Sequence, residues 1–157
     1  MNYAEWLGTV PVEITNDPIW KLEVYRLALF ANDIGWQDVL AISKNKLMWG
    51  VADQLHRALG SVSANLTEGY SRSKGLDRAR FIEISLGSAR ESRDWYYKSR
   101  HVLPATVVKH RMELVTRIIS MLPPLISHQR KNAIREEHPH YITQPSIFSL
   151  DSEIPFP

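Results

Sequence analysis

Residues 54–74 read QLHRALGSVSANLTEGYSRSK, and the way this run folds decides the architecture. With Val51 just ahead of it, the apolar positions Leu55, Ala58, Leu59, Val62 and Leu66 recur at three- and four-residue steps. That period lines one face of an α-helix, whereas a half-buried strand would alternate. The same run carries Arg57, Ser61, Asn65 and Glu68, which at about 100° per residue fall together on one flank of the apolar stripe. Gly60 and Ala64 open a neighbouring face to close approach. We expect a semi-buried seam in which Arg57, Ser61, Asn65, Glu68 and, from the following helix, Glu91 satisfy one another within or between subunits. Gly69 then stands where a left-handed cap residue would end the helix.

Three further helices surround this one. Asp17-Pro18 is a start signal, since an aspartate accepts from free first-turn amides and proline is tolerated at the first helical position. Ile19, Leu22, Tyr25 (or Arg26), Leu29 and Phe30 carry that first helix to about Ile34, and Gly35 with WQDVLAISKN reads as a connection. The second helix spans about Leu47 to Glu68, and YSRSKGL is a polar, basic loop. Asp77 opens the third helix, with Phe81, Ile84, Ser88, Ser92, Trp95 and Ser99 on the core face and Ile82 and Leu86 off it. Val107, Val108, Met112, Val115, Ile118, Ile119 and Leu122 make the fourth, which Pro123-Pro124 should end or kink. The expectation is an all-α fold: an up-down-up-down antiparallel four-helix bundle over 18–131. An irregular N-terminal segment (1–17) precedes it, and an extended or disordered tail (132–157) holding four prolines follows.

The chain has 157 residues, enough for one domain with a core, and 44% hydrophobic and 23% charged residues place it among ordinary globular proteins. Cysteine is absent, which excludes disulfides, thiolate catalysis and Cys-type zinc sites. A di-metal carboxylate bundle needs Glu-x-x-His on two helices, and Asp53-x-x-His56 is the nearest approach, so no metal or other cofactor is expected. EGYSRSKG lacks the spacing of a phosphate loop. No leader-like start and no run of 18 apolar residues occurs, so a cytoplasmic protein without membrane contact is expected.

Charge is unevenly placed. Residues 1–17 carry −3 and residues 132–157 carry −3, while 18–131 hold 18 Lys and Arg against 10 Asp and Glu. A basic body suits a polyanion partner. On the third helix Arg90, Arg93, Tyr97 and Arg100 share a face, and Arg72, Lys74, Arg78 and Arg80 lie on the adjoining loop and first turn. Arginine with an interleaved tyrosine suits phosphates and a stacked base. Glu83, Glu91 and Asp94 oppose this, with Arg90 and Asp94 at i,i+4 spacing.

The helix-two residues Gln54-Leu55, Arg57-Ala58, Ser61, Asn65, Glu68-Gly69 and Arg72 resemble the signature of the small four-helix-bundle proteins related to the 23S rRNA intervening-sequence protein. Phe81, Ile84, Gly87-Ser88 and Glu91 are similar to that family's third-helix motif, and VYRLALFANDI (24–34) to its first helix. The resemblance implies a bundle that is often a ring-shaped homopentamer. It also implies kinship with the accessory protein of diversity-generating retroelements, which binds a reverse transcriptase and nucleic acid. It brings no catalytic residues. Arg93-Asp94 followed after six residues by His101 resembles the Arg-polar-x4–6-His motif of the helical HEPN ribonucleases, which implies metal-independent RNA cleavage. The expected function is a non-enzymatic homo-oligomeric scaffold that binds RNA or a nucleoprotein partner. The alternatives are that ribonuclease, using Arg93 and His101, or a purely structural protein-binding oligomer.

Overall fold

The computed structural model describes residues 2–72 and 75–132, and all regular structure among them is helical. Two short helices, α1 (Tyr3–Leu7) and α2 (Val12–Thr15), lead into a 3-10 turn at Pro18–Lys21. Four long helices follow: α3 (Glu23–Ser43), α4 (Trp49–Ser71), α5 (Leu76–Lys98) and α6 (Ala105–Asn132). Residues 133–157, the bulk of the expected tail, lie outside the described residues.

The start signal at Asp17 works as expected, its Oδ1 accepting from the Ile19 amide at 3.0 Å. It opens the 3-10 turn, however, and Leu22 is extended (φ −79°, ψ 112°), so α3 begins at Glu23. The expected connection at Gly35 is instead the middle of α3. Glycine is there for contact: a Cβ would lie 2.5 Å from Leu59 Cδ1 and 3.0 Å from the Tyr96 hydroxyl oxygen. Continuing the helix buries Asp38 and Ile42 completely. Gly69 likewise sits inside α4 rather than capping it, where a Cβ would meet Phe81 Cβ at 2.8 Å. The left-handed glycine is Gly75, at φ 113°, which turns the chain into α5.

The N-terminal segment, expected to be irregular, packs into the main core. Asn2 and Glu5 form a reciprocal capping box on α1. Tyr3 and Trp6 are buried, Trp6 stands 5.2 Å from the Phe30 ring, and its indole N–H donates to Asp33 at 2.7 Å. At the other end α6 runs through Pro123-Pro124 to Asn132. Both prolines are exposed, on the side where water can answer carbonyls deprived of their donor.

Helix α5 is rotated from the expected face. Ala79, Ile82, Ser85, Ala89, Ser92 and Tyr96 point inward, whereas Ile84 is 43% exposed and Phe81, Ser88 and Trp95 are half-buried. The physical reason is that α5 packs between α4 and α6, and its small side chains admit both neighbours. Ser85 reaches across to donate to the Val62 carbonyl at 2.8 Å. Ile82, expected off the core, is buried in it. The helices pack in the order α3, α4, α5, α6, with α6 also touching α3. Contacts run in opposed register: Trp36 meets His56 and Asn32 approaches Gly60, while Gly69 meets Phe81 and Val62 meets Ser85. Glu83 pairs with Arg130 and Arg93 reaches Thr116.

Candidate nucleic-acid interface

The outer face of α5 carries its cations into solvent. Arg90 and Arg100 are exposed, Arg93 is half-buried, and Tyr97 is 50% exposed. The Arg100 guanidinium lies 4.0 Å from the centre of the Tyr97 ring, held by a hydrogen bond to the Tyr97 carbonyl at 2.9 Å. That stacked pair combines a cation with a planar surface. The neighbouring acids are engaged elsewhere. Asp94 accepts from Lys98 at 2.5 Å instead of pairing with Arg90, Glu91 accepts from the Trp95 indole at 3.1 Å, and Glu83 takes Arg130.

The loop cations divide. Arg80 is exposed and meets no acid among the described residues. Arg72 pairs with Glu68 at 2.8 Å and lies over the Phe81 ring at 5.3 Å. Arg78 is committed to structure: it donates to the carbonyls of Gly69, Tyr70 and Arg72 at 2.7–3.0 Å, closing the end of α4. Lys74 lies outside the described residues. Of the ribonuclease pair, Arg93 directs Nη1 toward the Thr116 hydroxyl at 3.4 Å, and His101 is exposed in the turn after α5, with no hydrogen bond joining them.

Within the chain, the expected seam is not one network. Arg57 is exposed, 4.0 Å from Asp53, Glu68 is answered by Arg72, and Glu91 by Trp95. Asn65, half-buried, donates back to the Ser61 carbonyl at 2.7 Å. Each partner lies four residues away on the same helix, because α4 and α5 meet through Val62, Ser85, Gly69 and Phe81, a quarter-turn from this flank.

A family model of the 23S rRNA-intervening sequence proteins matches residues 21–123. The chain belongs to this family. The match opens just before α3 and closes within α6, so it takes in the α4 flank and the cationic face of α5 together. Comparison with curated proteins gives no match. No helix among the described residues is long and apolar enough to cross a membrane.

Among the packed helices lies a polar cluster that the sequence motifs above do not pick out. Arg111 (1% exposed) grips Asp38 (0%) through Nε–Oδ2 at 2.7 Å and Nη2–Oδ1 at 3.2 Å, and the Tyr96 hydroxyl donates to the same carboxylate at 2.9 Å. Burial, and then the Asp38 charge, push the Tyr96 phenol well above its ordinary pKa. Arg111 Nη1 donates to His110 Nδ1 at 2.8 Å, and burial followed by the Arg111 charge lowers His110 to about 4. A signal for the cluster does exist: Asp38 sits four residues from both Ile34 and Ile42, and Arg111 lies on the Val107–Leu114 stripe. Lys109 belongs to α6, so the spacing along α5 does not point to it, yet it stands beside Tyr97 and Arg100 along one groove.

Proposed function

We propose that this protein is a non-enzymatic, homo-oligomeric scaffold that binds RNA through the cationic surface of α5. In this reading the four long helices form an up-down-up-down bundle, which the opposed register of their contacts supports. The observation that carries the proposal is the allocation of charge. Asp94 and Glu83 are taken by Lys98 and Arg130 and Glu91 turns to the Trp95 indole, and among the described residues Arg80, Arg90 and Arg100 face solvent in no ion pair. A body of net +8 over residues 18–131 adds attraction at longer range. Membership in a family described by an rRNA intervening sequence agrees with RNA association. Self-association is supported by Trp36 (50% exposed), Leu40, Leu47 (92%) and Trp49 (58%), large apolar side chains gathered where α3 ends and α4 begins. A partner protein such as a reverse transcriptase would use the same kind of surface. A cytoplasmic setting fits this reading.

The test is to purify the protein and read its 260/280 absorbance ratio before and after a high-salt wash, then incubate it with single-stranded RNA in EDTA. Bound nucleic acid that salt removes, and intact RNA in EDTA, support the proposal. Cleavage in EDTA that disappears in His101→Ala overturns it in favour of the ribonuclease. Neither binding nor cleavage leaves the protein-binding oligomer.

A further inference from the structure

Between the end of α5 and the start of α6 runs an open groove of about 470 Å³. Its walls include Tyr97, Val108 and Met112, and Arg100 and Lys109 stand on it with Glu113 beside them. An apolar cleft flanked by two cations has no evident use in holding the fold: Tyr97 is half exposed and Lys109 is exposed. A duplex backbone presents only sugar and phosphate and gains nothing from such walls. An unpaired base gains a planar surface to lie on, and its flanking phosphates fall to the cations. We infer that this groove takes a single unstacked nucleobase of a single-stranded RNA, with Tyr97 and the Arg100 guanidinium as the stacking surface, Val108 and Met112 as the apolar wall, and Arg100 and Lys109 at the adjacent phosphates.

The inference rests on the RNA-binding reading above and makes it specific for single strands carrying bases. Three features meet there: the cation–π stack at 4.0 Å, the apolar walls, and two cations against the single carboxylate of Glu113. Arg90 and Arg93, further along α5, continue the cationic path away from the groove.

The test compares fluorescence anisotropy of a labelled oligoadenylate of about twelve nucleotides with that of an abasic strand of equal length and charge. Wild type should bind the base-bearing strand at least about fivefold more tightly, the lower end of what one stacked base contributes. Tyr97→Ala, at a half-exposed position, should remove that difference while leaving the salt-dependent binding of the abasic strand unchanged. Met112→Trp, which fills the groove without altering charge, should do the same, with circular dichroism confirming the helical fold of both variants. Equal binding of the two strands by wild type would overturn the base-binding groove while leaving the cationic surface in place. Binding of neither strand would overturn both. A preference that survives Tyr97→Ala would also overturn the assignment, placing the base elsewhere.

Discussion

Asp38 and Arg111 are sealed from water, and their two-point contact also holds the Tyr96 hydroxyl. Removing one member strands the other charge in the interior, so Asp38→Ala or Arg111→Met should cost about 3–5 kcal/mol in urea unfolding. The paired change Asp38→Leu with Arg111→Met should cost far less, because both charges leave together. A double variant as unstable as either single would contradict this account. His110 adds a pH dependence. Its folded pKa of about 4 lies below the ordinary 6.5, so between those values the unfolded chain binds more protons. This contribution to stability is complete above about pH 6.5 and is lost as pH falls toward 4. Thermal melts should therefore drop over that window in wild type and less steeply in His110→Gln. Glu68, by contrast, has a side chain 51% exposed against a 52% exposed Arg72. Glu68→Ala should move stability by less than about 1 kcal/mol, the range of surface pairs.

At the scale of the helix, two glycines predict opposite outcomes. Gly69→Ala sets a methyl 2.8 Å from Phe81 Cβ, an atom that cannot swing aside without moving α5, so the overpacking should cost about 1–3 kcal/mol. Gly87 is exposed with nothing within 4 Å of its absent Cβ, and Gly87→Ala should stabilise by about 0.5–1 kcal/mol through helix propensity. Melting temperatures that move in the same direction would contradict the packing described here. The same glycines mark what the sequence can and cannot convey. The period of Leu55, Leu59, Val62 and Leu66 places α4 correctly, and Asp17 marks a real start, though of the 3-10 turn ahead of α3. Gly35 and Gly69 mislead because a glycine that admits a neighbour and a glycine that ends a helix look alike until the neighbour is known. The face of α5 is read about one position out of place, since its inward side is made of Ala79, Ser85, Ala89 and Ser92 and has little hydrophobic contrast. The cationic face of α5 is legible from spacing alone. The engagement of Arg78 with three carbonyls, and the pairing of Asp94 with Lys98 over Arg90, depend on rotamers and on the chain's path through the loop.

For the molecule as a whole, the proposed assembly and the proposed binding face would act together. Trp36, Leu40, Leu47 and Trp49 expose large apolar side chains about the α3–α4 turn, and if they are the contact between subunits, light scattering in the micromolar range should give a mass above that of a dimer of the 18.1 kDa chain. Trp49→Asp should lower that mass, and an unchanged mass would move the contact away from this group. An oligomer repeats the α5 face in every subunit, multiplying a modest patch into a field able to hold a polyanion. The most direct test of the central claim is the salt dependence of single-stranded RNA affinity. Wild type should show log affinity falling linearly with log salt. Arg90→Ala with Arg93→Ala and Arg100→Ala should bind more weakly, with a slope shallower by about 2, close to 0.7 for each phosphate no longer neutralised. A triple variant with wild-type affinity and slope would show that RNA, if bound at all, is not bound by the face of α5.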